Sequence, residues 1–279
     1  MIGSNFTFVI TTYRSNQVID ECLKDIPKHI KKIIVENSGD ALLKSKVEKN
    51  YENTECYLMS ENLGYGKANN FGIEKSNTDY VFILNPDTKI NDEKFSKIVT
   101  LLQNQDFAIA APQIIEKNKI YKQNKNNNKI QEVELVPGMA MILNKKKFKN
   151  NFFDENIFLY LEETDLCKRM RNIGEYVLEV SVELSHLGGQ SHGQYDFEME
   201  KSRNWHWMWS NFYFYRKHHN YFYSLIKTLP NFLSSGIKFF NYKLIGNKQK
   251  SIQYKMRFLG LFNSYLLNKS NYRPHNKFD

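Results

Sequence analysis

Tyr80–Leu84 reads YVFIL, a continuous apolar run stopped abruptly by Asn85-Pro86-Asp87-Thr88. A run of this length and composition predicts a strand buried on both faces, as in the middle of an α/β sheet. The same texture recurs upstream. Phe6–Thr11 (FTFVIT) predicts a strand that turns through TYRSN into a helical stretch around Val18–Leu23. Lys32–Glu36 (KIIVE) predicts a second strand, closing in the polar cluster NSGD, with a helix over Ala41–Tyr51. Cys56–Met59 predicts a third, leading through the glycine-rich ENLGYGKANNFGIEKS into another helix. Strands alternating with helices make βαβ units and hence a parallel sheet. Ligands of such sheets bind beyond the carboxyl ends of the strands, so Tyr13, Glu36, Asn62 and Asp87 are expected on one rim.

Further on, Glu116–Glu134 (EKNKIYKQNKNNNKIQEVE) is poor in apolar residues and predicts a mobile loop or frayed hairpin. Leu135–Leu143 (LVPGMAMIL) returns to the core, and Tyr176–Leu184 predicts a strand. Beyond about residue 200 the texture changes to amphipathic, basic, aromatic helices. The expected organisation is an α/β domain over residues 1–200 and a helical extension over 201–279.

Composition narrows the function. With 279 residues, 41% of them hydrophobic, the chain can bury one α/β core and a small appendage. Cys22, Cys56 and Cys167 lack CxxC spacing, which argues against a disulfide framework or zinc site and for a reducing cytoplasm. No apolar run reaches the roughly 18 residues of a membrane span, and MIGSNFTFVITTYRS does not read as a signal peptide. A formal charge of +9 attracts polyanions, whether nucleic acid, anionic lipid or diphosphates. No nucleic-acid-binding module accompanies it, so nucleic acid is not an expected partner.

Four constellations bear chemistry. Asp87, just past the buried strand with Asn85 before it, either faces the site, where it could help hold a hard cation on a diphosphate, or only builds a turn. In LYLEETDLCKRMR, Glu162, Glu163 and Asp165 open a helix. They are either a partly buried general-base cluster or acids balanced by Lys168, Arg169 and Arg171. The loop Asn62-x-Gly64-Tyr65-Gly66-x-Ala68-Asn69-Asn70-x-Gly72 offers thin backbone and amides for a phosphate or sugar. It is neither GxGxxG nor a P-loop, which disfavours redox and ATPase chemistry. In Ser185–His192 a glycine pair lies between His186 and His192, and either histidine could reach a metal or a diphosphate.

Taken in order, ITTYR, VENSGD, ENLGYGKANNFGI, NPDT, PGMAMIL, LYLEETDLCKRMR and HLGG resemble the successive motifs of family 2 glycosyltransferases of GT-A fold, rhamnosyltransferase-like branch, over residues 5–195. The resemblance implies a mostly parallel nucleotide-sugar-binding sheet flanked by helices, and an inverting transferase acting in cell-surface polysaccharide synthesis. It implies that Thr11, Tyr13, Arg14, Glu36, Asn62, Gly64, Asn69, Asn85 and Asp87 face the donor, and that Gly138 and Met139 border the acceptor. Asp87 and His186 would hold Mn²⁺ or Mg²⁺. Glu163, with Glu162 and Asp165 beside it, would be the base.

The sequence departs from the family pattern at Glu36, where Asp is usual, and at Glu163, which stands where Asp is usual after the preceding Glu. Asn85 replaces the first acid of a DxD-like motif. The branch points to dTDP-rhamnose as donor, with UDP-sugars second, and to a glycan or lipid-linked acceptor.

The competing readings are another nucleotide-using transferase, or a non-catalytic relative that binds membranes or polyanions. For the C-terminal third, Trp205, Trp207, Trp209, the Tyr/Phe run to Tyr223 and Lys217/Lys227 suggest peripheral docking on the inner face of the plasma membrane. An ordinary helical cap or a homo-oligomer interface is the alternative.

Overall fold

The computed structural model describes residues 5–116, 119–121, 128–149, 152–187 and 197–273. They divide into two compact units, Met1–Asp154 with Glu163–Gln194, and Glu155–Glu162 with Tyr195–Asp279.

The first unit follows the predicted alternation through β1 (Phe6–Thr12), α1 (Ile19–Leu23), β2 (Lys31–Glu36), α2 (Ala41–Asn50), β3 (Thr54–Leu58), α3 (Tyr65–Lys75) and β4 (Tyr80–Leu84). Then come β5 (Thr88–Lys89), α4 (Asp92–Leu102), β6 (Ile109–Glu116), β7 (Lys119–Tyr121), β8 (Ile130–Glu132), β9 (Ala140–Asn144), α5 (Glu162–Asn172) and β10 (Val177–His186). Side-chain caps start two of these helices: Asp40 accepts from the Leu42 and Leu43 amides at α2, and Asn91 from the Lys94 amide at α4.

The strands join in the order β3-β2-β1-β4-β9-β6-β10-β5, with β7 on β6 and β8 on β10. Pairing is parallel through β3-β2-β1-β4, as expected. Beyond β4 the sheet is mixed rather than mostly parallel. β9 runs antiparallel to both β4 and β6, and only β6 with β10 is parallel again. The physical reason is that β9 arrives from a loop rather than a crossover helix, so its direction is not constrained to match β4.

Val9 on one face and Phe8 and Ile10 on the other place β1 between two apolar layers. Helix α3 lies close over this strand at Gly72, where an added Cβ would sit 2.4 Å from Val9 Cγ1. Of the expected loop over 116–134, the described parts form β7, β8 and their flanks. The remainder lies outside the described residues.

The second unit consists of α6 (Phe197–His218), α7 (Tyr221–Leu244) and α8 (Lys248–Tyr265) with the segment 155–162. α8 packs along both α6 and α7. At Gly260 an added Cβ would lie 2.2 Å from the Trp205 carbonyl oxygen, so the α6 and α8 backbones nearly touch. Trp205 and Trp209 are buried inside this bundle, with Trp209 Nε1 donating to Asn268 O at 3.0 Å; only Trp207 is exposed. The tryptophans expected at a membrane surface are therefore, two out of three, core. Phe158 stacks on His206 with centroids 4.5 Å apart, and burial pushes the His206 pKa down to about 3.

Candidate active site

The carboxyl ends of β1 and β2 and the start of α3 form the first half of the site. Thr11 Oγ1 donates to Asn69 Oδ1 at 3.1 Å, and Asn69 Nδ2 donates to Tyr65 O at 3.0 Å, so the strand end is tied to the first turn of α3. Gly64 caps that helix at φ +80°, in the left-handed region open to glycine. Asn62 Oδ1 accepts from its amide at 3.0 Å and Asn37 Nδ2 donates to its carbonyl at 3.4 Å. Arg14, at φ +54°, donates its amide to Ser38 Oγ and lays its guanidinium over the Tyr13 ring at 5.1 Å.

Glu36 is fully buried, and its carboxylate accepts from the Ser38 amide at 3.0 Å, Ser38 Oγ at 2.5 Å and the Asp40 amide at 2.8 Å. Expected as a donor contact, it is bonded here to the loop 37–40. The longer Glu side chain reaches these amides from the strand end.

The second half gathers around Asp87. Antiparallel pairing of β5 with β10 sets Thr88 opposite His186, and the Leu187 amide donates to Asp87 O at 3.0 Å. His186 Nε2 consequently lies 3.2 Å from Asp87 Oδ1, while Nδ1 meets Glu116 Oε2 at 3.1 Å. Burial lowers the His186 pKa, but the two carboxylates outweigh it and the net shift is upward. Both Asp87 oxygens are buried; Oδ1 has the His186 ring as its ionic neighbour, and Oδ2 accepts no hydrogen bond among the described residues.

A buried carboxylate with one oxygen left without a hydrogen bond, beside an imidazole, suits a hard cation that takes its remaining oxygens from a substrate. Glu116 behind the ring is the type of partner that fixes a ligating histidine. Among the described residues no three His, Cys, Asp or Glu side chains form a self-sufficient metal cage. His192 lies outside the described residues, as do Gly188 and Gly189.

Glu116 was not anticipated from sequence. It sits in a polar stretch, and only the parallel register of β6 with β10, Ile115 opposite Ser185, puts it beside His186.

A short segment links this acid to the third constellation. The Asn85 amide donates to Met139 O at 2.9 Å, and Tyr65 Oη donates to Gly138 O at 2.5 Å. Gly138 faces Glu163, whose Cβ and Cγ would each lie 3.5 Å from a Cβ added there. Burial pushes the Glu163 carboxyl above its ordinary value, and hydrogen bonds from its own amide and that of Thr164 restrain the rise.

Glu162 is buried at the first position of α5. Asp165, expected among the catalytic acids, is fully buried and paired with Arg169 Nε at 2.8 Å one helical turn on. The structure thus brings Asn85, Gly138, Met139 and Glu163 together, and separately joins Asp87 to His186 and Thr11 to Asn69.

A family model described as Glycosyl transferase family 2 matches residues 7–171. The low-salt glycan biosynthesis hexosyltransferase Agl10 of Haloferax volcanii is 24% identical over 199 residues, 61% of this chain and 64% of that protein. The dTDP-rhamnosyl transferase RfbF of Shigella flexneri is 25% identical over 197 residues, 62% of this chain and 65% of the relative. The matched part therefore spans less than two thirds of either relative.

Among solved structures, residues 1–349 of S. aureus TarS superpose with a TM-score of 0.57 at 14% identity, covering 94% of this chain and 92% of that one. The same protein in complex with UDP-GlcNAc gives 0.56 at 13% identity, with the same coverage. GalNAc-T7 with UDP, GalNAc and Mn²⁺ gives 0.52 at 12%, over 82% of this chain and 57% of that one. At these identities the likeness establishes the GT-A type of fold.

Proposed function

The chain belongs to glycosyl transferase family 2, and from that premise we propose that it transfers a hexose from a nucleotide-diphosphate donor to a hydroxyl of a glycan or lipid-linked acceptor, with inversion. The observation that carries this reading is the Gly138-Met139 segment, which binds the Asn85 turn on one side and packs on Glu163 on the other. It spaces a donor-side turn and a candidate base on one scaffold.

Thr11, Asn69 and the Gly64 cap would seat the nucleotide, with Tyr13 and Arg14 at its edge. Asp87 and His186 would hold Mn²⁺ or Mg²⁺, which when bound offsets the charge developing on the departing diphosphate. Glu163 takes the proton of the acceptor hydroxyl. That oxygen forms its bond to the anomeric carbon as the carbon–oxygen bond to the diphosphate breaks, and the electron pair leaves with the nucleotide.

One displacement inverts the centre, and a carboxylate whose pKa is raised toward neutrality is the better base for it. RfbF, by its name a dTDP-rhamnosyl transferase, supports dTDP-rhamnose as first donor. TarS, solved with UDP-GlcNAc, supports UDP-sugars as second. Residues 1–200 form the catalytic part in this reading.

The test is nucleoside diphosphate release across a panel of nucleotide sugars with Mn²⁺ or Mg²⁺, comparing wild type with Asp87→Ala and Glu163→Gln. Metal-dependent release from one donor, lost in both folded variants, is the expected result. Absence of turnover and of binding for every donor refutes the proposal.

A further inference from the structure

Helix α7 is amphipathic in the wrong sense for a helix that ends at its own bundle. Its inward face carries Ser224, Thr228 and Ser235, all buried, with Thr228 Oγ1 3.0 Å from Tyr265 Oη. Tyr221, Leu225 and Phe232 supply its apolar contacts, Phe232 stacked on Phe258 with centroids 4.3 Å apart. The outward face is aliphatic and aromatic.

From Phe222 through Ile226 and Leu229 to Leu233 the spacing is four, three, four, and it repeats from Leu233 through Ile237 and Phe240 to Leu244. All seven side chains are between 44% and 85% exposed. An eleven-residue repeat keeps a stripe almost parallel to the helix axis, within an arc of about 80° and along about 33 Å. Exposed Lys227 and Lys238 lie on one flank of it, each over a tyrosine ring, Tyr223 and Tyr254.

Charge decides what covers this face. Residues 201–278 contain fourteen Lys and Arg and neither Asp nor Glu, whereas residues 1–200 contain 25 Lys and Arg against 29 Asp and Glu. The entire positive excess of the chain therefore resides with α6, α7 and α8. A second copy placed against the stripe would oppose cations to cations, while an anionic bilayer offers acyl chains to the stripe and headgroups to the lysines. Among the described residues no helix is long and apolar enough to cross a membrane, so the helix would lie in the plane of the interface.

We propose that α7 is an in-plane docking helix for an anionic lipid surface, with the Phe222–Leu244 stripe in the acyl region and Lys227 and Lys238 at the headgroups. The tyrosines beneath the lysines suit the same boundary, where ring and cation share the polar layer.

The experiment is co-sedimentation of the full chain with vesicles of phosphatidylcholine alone and of phosphatidylcholine with phosphatidylglycerol, with analytical ultracentrifugation of the free protein in parallel. The stripe variant is Ile226→Ser with Leu233→Ser and Ile237→Ser; the charge variant is Lys227→Glu with Lys238→Glu. Circular dichroism and thermal melting establish that both fold.

Wild type is expected to bind only the anionic vesicles, and to bind them more weakly as salt rises. The stripe variant should lose at least about tenfold in affinity, and the charge variant should lose the preference for phosphatidylglycerol. Three results would overturn the proposal: wild type that ignores anionic vesicles, a folded stripe variant that binds them unchanged, or a wild-type dimer that the stripe substitutions dissociate. The last outcome would assign the face to a second copy.

Discussion

Substituting Gly138 tests whether backbone thinness beside Glu163 matters to the reaction. A Cβ at position 138 would stand 3.5 Å from Glu163 Cβ and Cγ and 3.8 Å from Cδ, which is ordinary van der Waals contact. Gly138 is not in the left-handed backbone region, so alanine brings no conformational strain. Gly138→Ala should fold and keep its kcat within about twofold, with a gain of about 0.4–1 kcal/mol in stability from the stiffer unfolded chain.

Valine is different. Its γ-carbons extend about 1.5 Å beyond Cβ and fill two of the three staggered positions, so Glu163 must yield by about 1 Å. A misplacement of that size costs about 100-fold in rate. Glu163→Gln sets the ceiling, a loss of about 100- to 10,000-fold, or about 3–5 kcal/mol of barrier.

The assay is kcat and KM for nucleoside diphosphate release in all three variants, with melting temperatures to show that each is folded. A folded Gly138→Val enzyme with wild-type kcat refutes the reasoning, because Glu163 would then not depend on its neighbour. Failure of Gly138→Ala to fold would refute the geometry itself.

Glu163 also predicts opposite trends in stability and rate with pH. Its pKa is raised in the folded state, so its stabilising effect is full below the ordinary carboxylate value of 4.5 and is lost as pH climbs through the folded value. The rate rises through that same value as the base form appears. Urea midpoints should show the decline in wild type and not in Glu163→Gln. Mn²⁺ near one hundred times its dissociation constant should stabilise wild type by about 2.7 kcal/mol and leave Asp87→Ala unmoved in thermal shift. Because the His186 pKa is raised above 6.5, that binding should tighten as pH increases and the ring gives up its proton. In the second unit, Gly260→Ala forces a Cβ onto the Trp205 carbonyl and should cost about 1–3 kcal/mol in denaturant unfolding.

What could be seen from sequence followed a physical divide. β1, β2, β3 and β4 announce themselves by apolar and β-branched residues, β4 by an unbroken apolar run, because strands in the middle of such a sheet are buried on both faces. β5, β7 and β8 are two or three residues long and carry no pattern of their own; their pairing comes from distant strands. The site divides in the same way. Residue type singled out Asp87, His186 and Glu163 as candidates. It could not reveal that the carboxylates of Glu36 and Asp165 are already spent on neighbouring amides and Arg169, nor that Glu116 stands behind His186. Those facts depend on register and rotamer. In the same manner, Trp205 and Trp209 looked like interface residues, whereas they are buried and the exposed apolar face belongs to α7.

The segment 155–162 bears on how such a chain could be inherited in pieces. It belongs to the helical unit, where Phe158 meets His206 and Arg273 and the Leu159 carbonyl accepts from Ser210 Oγ at 2.8 Å. In sequence it interrupts the sheet unit and ends on Glu162, the first residue of the helix that carries Glu163. A recombination event, or a truncation, near residue 196 would therefore deliver α6, α7 and α8 without the eight residues they pack around. It would also leave those residues unpartnered one position ahead of Glu163. Exchange of the helical unit between relatives would require matched crossovers on each side of residues 155–162 and near residue 196.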